Sequence, residues 1–323
     1  MKDKRLVAGI DIGGTNTAFG LVNEESEIID TKTLPTLEYD SADNFADAAA
    51  STIRDIATRH GGIEAIKAIG IGAPCGNFNA GTIEHAANLK WGKGIIPICD
   101  MLKKRLCIAA YITNDANAAA IGEMKYGSAK GMKDFIEITL GTGVGSGIVA
   151  NGSLLYGCDG FAGELGHTII DFEHGRKCGC GRSGCLDMYC SSRGVVITAK
   201  ELLSKESCAS SSLRDIPADK LTTLDIFNAA EKGDSVAQET FRRTGEILGK
   251  ACANFAAFLS PEAFIFFGGV AKAGEWLLKP AEEAYDKYVL SLYKGKAKFL
   301  TSGLKDGTAA ILGAAALAWK TEI

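Results

Sequence analysis

Four side chains in one short stretch can bind a soft metal ion: His167, Cys178, Cys180 and Cys185, spaced H-x10-C-x-C-x4-C. A Cys₃His set satisfies tetrahedral Zn²⁺ and leaves no open position, so it implies a structural ion. Two cysteines one residue apart would be strained as a disulfide with each other; the competing reading is a set of unliganded or redox-active thiols. The same region is rich in glycine, with 13 glycines in the 44 residues from Gly141 to Gly184, where the average of ~7% would give about 3. Runs such as Gly141-Thr-Gly-Val-Gly-Ser-Gly147 leave backbone N–H groups unobstructed, which suits phosphate oxygens. The run lacks the Gly-Lys-Ser/Thr of a P-loop and continues into strand-like Ile148-Val149 rather than a helix, so it reads as a phosphate-holding hairpin, or simply as tight turns in a sheet. A third candidate is Asn114-Asp115, where a strand gives way to a helix. That position sets a carboxylate at the positive end of a helix dipole and at the sheet edge where α/β proteins hold ligands, although an ordinary helix cap would look the same.

These residues need elements to aim them. LVAGIDI and TAFGLV read as strands about the Gly13-Gly14 turn, and DFIEITLG and GSGIVANG as a second hairpin. The segment Ser41 to His60 has the helical period, with Phe45, Ala49, Ile53 and Ile56 on one face, Ser41 as cap and Gly61-Gly62 as stop. A strand (AIKAIGIG), a helix (IPICDMLKKRL), a strand (AAYIT) and a helix from Asp115 to Tyr126 follow. The later half carries a long helix over Ser235 to Leu259, a strand (AFIFFGG), a helix after Gly274, a short strand (KAKFLTS) and a closing helix from Thr308 to Lys320. The polar stretch Ser204 to Ser212 reads as a loop. Gly14-Thr15 to Gly20-Leu-Val and Gly141-Thr142 to Gly147-Ile-Val repeat one pattern 127 residues apart. The repeat fits a duplicated α/β domain, or the chance recurrence of common Gly-Thr turns.

Composition narrows the classes. With 35 Lys+Arg against 39 Asp+Glu, net charge −4, no basic field exists to hold nucleic acid or an anionic membrane. The most apolar stretch, Ala309 to Trp319, falls short of the ~18 residues a span requires. The start MKDKRLVAGIDIGG lacks a cleavage site, and 10 cysteines without a leader argue for a reducing compartment. A cytoplasmic protein without nucleic-acid or membrane partners is expected. His174 reads as a solvated loop residue and Cys190 as a buried spare. Cys75, Cys99, Cys107 and Cys252 read as core.

Asp11-Ile-Gly-Gly-Thr-Asn16 followed by Leu140-Gly-Thr-Gly-Val-Gly145 resembles the two phosphate motifs of the sugar kinase, heat-shock ATPase and actin superfamily. Within it, Glu164-Leu-Gly-His167 and Cys178-Gly-Cys-Gly-Arg-Ser-Gly-Cys185-Leu-Asp187 are similar to the signature of the ROK family (repressors, open reading frames and kinases). The match runs from Asp11 to about Gly313, and its cysteine segment is highly specific. The resemblance implies two related α/β domains of the actin-like ATPase (ribonuclease H-like) type around a central cleft. The small domain would take residues 1–116 plus 306–323, and the large one 117–305 with the zinc loop at 167–185. It implies an ATP-dependent hexose kinase that phosphorylates the 6-hydroxyl of glucose. The alternatives are an N-acetylmannosamine or N-acetylglucosamine kinase or, remotely, a sugar-responsive repressor, which would carry a DNA-binding domain where only Met1 to Arg5 precede the first strand here.

The resemblance also implies roles. Asp115 would be the general base, and Asp11 would face the Mg²⁺ of Mg-ATP through water. Gly13, Gly14, Thr15 and Asn16 on one side and Gly141, Thr142 and Gly143 on the other would grip the phosphates. Gly268 and Gly269 would lie beside the adenosine, where family members often have three glycines. Asn88, Asn114, Asp115, Glu164, His167 and Asp187 would bind sugar hydroxyls, His167 with one ring nitrogen on zinc and the other toward the sugar. Asp187 stands where the family usually has Glu; its shorter side chain would need a water, or would change the preference at the hydroxyl it meets. Gly72-Ala-Pro-Cys-Gly76 and Ala87-Asn88-Leu-Lys-Trp91 resemble sugar-site segments of the glucokinase branch, with a capped turn and a packed indole as the other account of Asn88 and Trp91. A homodimer is implied as well.

Overall fold

The structure, a computed structural model, describes residues 6–205, 210–304 and 308–320. The core of the loop read at Ser204 to Ser212, residues 206–209, and the ends 1–5 and 321–323 lie outside the described residues, as do 305–307. The chain divides into two compact units, Met1–Gly131 with Leu154–Gly163 and Gly303–Ile323, and Met132–Ser153 with Glu164–Ser302. The sequence reading set the boundary after residue 116 and assigned 117–305 whole to the second domain. Packing places it differently: the helix that begins at Asp115 packs on the closing helix at Gly122 and Gly313, so both belong to one unit. The 154–163 segment joins that unit through the Asn77 amide, which donates to the Asp159 carbonyl (2.8 Å), and a Phe78–Tyr156 stack at 4.1 Å.

In the first unit, β1 (Leu6–Ile12), β2 (Asn16–Val22), β3 (Ile28–Pro35), β4 (Ile66–Gly72) and β8 (Ala109–Thr113) form a sheet in the order β3-β2-β1-β4-β8, while β5 (Gly76–Asn77), β6 (Thr82–Glu84) and β7 (Ile95–Ile96) form a small second sheet. β1 is buried on both faces and so reads as a near-continuous apolar run; β2 joins it antiparallel and β4 parallel. Helix α1 (Ala42–Thr58) is capped by Ser41, whose hydroxyl accepts the Asn44 N–H, and its Phe45, Ala49, Ile53 and Ile56 are all in the core, as their spacing requires. Helices α2 (Ile98–Leu106) and α3 (Asp115–Tyr126) complete this part of the chain. The closing helix α9 (Ala309–Lys320) rests on the backbone of β1 and β4 at Gly9 and Gly70.

The second unit repeats the plan. β9 (Phe135–Leu140), β10 (Val144–Ala150), β11 (Ser153–Leu154), β12 (Ala263–Phe267) and β13 (Lys298–Thr301) run in the order β11-β10-β9-β12-β13. Again the second strand is antiparallel to the first, and the two later strands are parallel to it. The 127-residue sequence repeat is therefore a repeat of sheet topology. Helices α4 (Asp187–Cys190), α5 (Ser192–Leu203), α6 (Thr223–Glu231), α7 (Ser235–Leu259) and α8 (Glu275–Tyr288) belong to this unit. Cys99, Cys190 and Cys252 are buried as expected, but Cys75 and Cys107 are exposed. Both sit at positive φ, 51° and 57°, in turns, Cys107 as the left-handed cap of α2. No helix among the described residues is long and apolar enough to cross a membrane.

Candidate active site

In the first unit the candidate residues gather where β1, β4 and β8 end. Asp11 lies near the end of β1, and Gly13 to Thr15 turn the chain into β2, closed by the Gly13 N–H donating to the Asn16 carbonyl at 3.0 Å. Gly14 packs against Asn88, which brings an exposed amide beside this turn. Trp91 is buried and stacks on Phe45 at 4.6 Å, so it is a core indole that anchors the Asn88 segment.

At the head of α3 the two neighbours divide the work. Asn114 is the cap: its Oδ1 accepts the Asn117 N–H at 2.6 Å, which leaves its NH₂ for another partner. Asp115 is the first helical residue, exposed, and accepts the Ala116 N–H at 2.9 Å. One of its oxygens thus meets a first-turn N–H, and the carboxylate remains exposed. Burial, and then the neighbouring Asp115 charge, push the Asp11 carboxyl up to about 6. A half-buried carboxyl beside a second, exposed carboxylate suits a divalent cation or a proton transfer.

In the second unit, Gly141, Thr142 and Gly143 form the turn between β9 and β10, with the Gly141 N–H donating to the Gly143 carbonyl at 3.0 Å. Glu164 and His167 stand at the two ends of one turn, where the His167 N–H donates to the Glu164 carbonyl at 3.0 Å; Glu164 is exposed and His167 half-buried. This turn is docked on the β9–β10 hairpin: Gly166 packs on the Val144 carbonyl, and the Leu165 N–H donates to Ser146 Oγ at 3.2 Å. Asp187 meets the same hairpin at the Val144 N–H (2.8 Å) and pairs with Arg193 at 2.9 Å.

Gly268 and Gly269 follow β12, and Gly269 borders a cavity of about 540 Å³ lined also by Gly141, Thr142, Thr223, Leu224, Phe227, Phe241 and Lys272. Of this lining, the sequence singles out Gly141, Thr142 and Gly269. Its apolar wall comes from α6 and α7, where Phe227 and Phe241 read as ordinary core residues.

The cysteine cluster is assembled as its spacing implied. The ligand atoms of His167, Cys178, Cys180 and Cys185 all lie within 4.8 Å of one another, with Cys178 Sγ 3.8 Å from His167 Nδ1 and Cys180 Sγ 3.6 Å from Cys185 Sγ. Hydrogen bonds from the Arg182 backbone and guanidinium hold the Cys180 thiol down at about 6. Four soft donors converging on one point can hold a metal ion. Gly184 makes the loop possible, since it adopts φ +81° and a Cβ there would fall 1.9 Å from the Asp171 carbonyl oxygen. His174 is outside the cluster and exposed.

The ROK family profile matches residues 7–321. This chain belongs to the ROK family. It is 36% identical over 314 residues to a glucokinase of Halalkalibacterium halodurans, covering 96% of this chain and 94% of that one, and 33% identical over 318 residues to a glucokinase of Thermotoga maritima, covering 97% of each. Among solved structures it is similar to a ROK family glucokinase from Streptomyces griseus in complex with glucose and AMPPNP, with a TM-score of 0.78, 34% identity and coverage of 97% of this chain and 99% of that chain. The fold is that of the ROK sugar kinases, of the actin-like ATPase type.

Proposed function

We propose that this chain is an ATP-dependent glucokinase that transfers the γ-phosphate of ATP to the 6-hydroxyl of glucose, with Asp115 as general base. The observation that carries the mechanism is the division of labour at α3: Asn114 caps the helix, which leaves the Asp115 carboxylate exposed at its positive end. The identities to glucokinases over nearly the whole chain support the substrate. Asp115 takes the hydroxyl proton as that oxygen bonds to the γ-phosphorus, the bond to the β–γ bridging oxygen breaks, and ADP leaves. Phosphoryl transfer is mostly positioning and charge neutralisation. Accordingly, the backbone of Gly13 to Asn16 and of Gly141 to Gly143 takes phosphate oxygens, and Asp11 faces the Mg²⁺ that arrives with ATP. The Gly269 pocket suits adenosine, with Phe227 and Leu224 as its apolar wall. Asn88, the Asn114 amide, Glu164 and His167 discriminate the hydroxyls of the sugar, because a site built of polar partners rejects a substrate that leaves them unpaired.

The Cys₃His cluster fits structural zinc. Ligands bonded to one tetrahedral Zn²⁺ at ~2.3 Å for sulfur and ~2.1 Å for nitrogen stand roughly 3.5–3.8 Å apart; the Cys180–Cys185 and Cys178–His167 separations are 3.6 and 3.8 Å, and all four ligand atoms lie within 4.8 Å of one another. When bound, the ion cross-links the loop. With Nδ1 on the metal side, the His167 ring keeps Nε2 for a sugar hydroxyl. A homodimer in the cytoplasm completes the reading, on the family resemblance.

The test is ADP release over a panel of glucose, mannose, fructose, N-acetylmannosamine and N-acetylglucosamine. Glucose should give the highest kcat/KM by at least tenfold. A preference for an N-acetyl sugar would replace glucose as the substrate and leave the kinase assignment standing.

A further inference from the structure

Asp187 is only 5% exposed, and both of its oxygens are engaged: Oδ1 accepts the Val144 N–H at 2.8 Å and Oδ2 accepts Arg193 Nη2 at 2.9 Å. Val144 is the first residue after the Gly141–Gly143 turn and pairs across it with Leu140. The other arm of the turn is tied from the same segment of chain, by the Ser192 N–H donating to the Gly141 carbonyl at 2.8 Å. A Cβ on Gly143 would stand 3.0 Å from Asp187 Oδ1, so the carboxylate sits directly beneath the turn.

We infer that Asp187 is a positioning residue for the nucleotide: clamped by Arg193, its carboxylate fixes the turn whose backbone takes the phosphates, and it is not a ligand of the sugar. This rests on the kinase reading above. The electrostatics explain the clamp. A buried carboxylate beside a phosphate-binding turn would repel a polyanion and would itself be costly to desolvate unless paired. Arg193, although its side chain is 54% exposed, supplies the paired charge. A hydrogen bond from a backbone N–H to a charged acceptor is among the stronger ones, and here it holds the strand residue that closes the turn. With Val144 N–H on Asp187 and Val144 carbonyl against Gly166, this residue also joins the nucleotide turn to the Glu164–His167 turn.

The experiment measures MgADP binding without sugar, and glucose binding without nucleotide, on the full chain by calorimetry. Wild type, Asp187→Ala and Asp187→Asn are compared, with thermal melts and bound zinc as controls for folding. Asp187→Ala should weaken MgADP about tenfold, in line with the loss of a charge-assisted hydrogen bond, and leave glucose within twofold. Asp187→Asn keeps an acceptor for the Val144 N–H and should recover most of that loss. If the alanine variant melts early or sheds zinc, the asparagine variant carries the test, with MgADP about threefold weaker and glucose unchanged. Weakened glucose with unchanged MgADP would make Asp187 a sugar ligand and overturn the inference, and so would two unchanged affinities. Absence of sugar phosphorylation by the wild type would overturn the kinase reading alone, because the MgADP arm contains no sugar.

Discussion

The two units share one sheet plan and use it differently. At the 127-residue offset, Asp11 of the first sheet corresponds to Ile138 of the second, and Gly13 to Leu140. The first turn thus lies next to a pair of carboxylates, Asp11 and Asp115, with Asp11 pushed up to about 6. At the same place the second sheet has the fully buried apolar side chains Ile138 and Leu140, and the carboxylate beneath its turn, Asp187, is paired with Arg193 and tied to backbone. Duplicated hairpins have diverged into one that presents charge and one that presents immobilised backbone. On the proposed function, the catalytic base stands in the first unit, both hairpins hold phosphates, and the second unit also carries the Cys₃His cluster.

Breaking each half separately should give different signatures. The largest effect is expected for Asp115→Asn, which removes the base and should lower kcat by ~10²–10⁴, while calorimetric Kd values for glucose and MgADP stay within about threefold. Next comes Gly184→Ala, which meets both a positive φ and the Asp171 carbonyl; it should lose zinc and lower Tm by several degrees, as a cost of a few kcal/mol would. Gly181→Ala, at φ +89° with open space around its Cβ position, should keep more of its zinc in the same metal analysis. If the two behaved alike, the loop would not be braced as described. Gly143→Val, forced against Asp187, should weaken MgADP about tenfold and leave glucose affinity unaltered.

The smallest effect concerns Asp11 and pH. Its folded value of about 6 exceeds the ordinary 3.8, so between those pH values the folded state binds more protons than the unfolded one. The contribution of Asp11 to the stability of the ligand-free protein therefore falls as pH rises from about 4 to about 6, by at most ~3 kcal/mol. Asp11→Asn, freed of the buried charge, should be more stable than wild type in urea at pH 7.5, and the gap should shrink at pH 5. Parallel stabilities at the two pH values would mean that the Asp11 charge is not destabilising.

What was legible in the sequence followed from local signals. The cap at Ser41, the spacing of Phe45 to Ile56 and the H-x10-C-x-C-x4-C pattern each specify a local geometry, and each is realised. Strand β3 was not legible, because IIDTKTLP buries none of its residues fully and owes its conformation to pairing with β2. The domain boundary was missed for a similar reason: α3 is assigned by its packing on α9, nearly two hundred residues away in the chain. The pocket beside Gly269 draws on Leu224, Phe227 and Phe241, whose apolar types carry no hint of a ligand. For Asp187, only coordinates reveal that its two oxygens meet Val144 and Arg193.

The central claim is that Asp115 drives ATP-dependent phosphorylation of glucose at its 6-hydroxyl. Phosphorus NMR of the reaction of glucose with MgATP tests it most directly, run with wild type and with Asp115→Asn. The account predicts glucose 6-phosphate and ADP in equal amounts with wild type, and at least a hundredfold less of both with the variant. Product at another hydroxyl, or near-normal turnover by the variant, would contradict it.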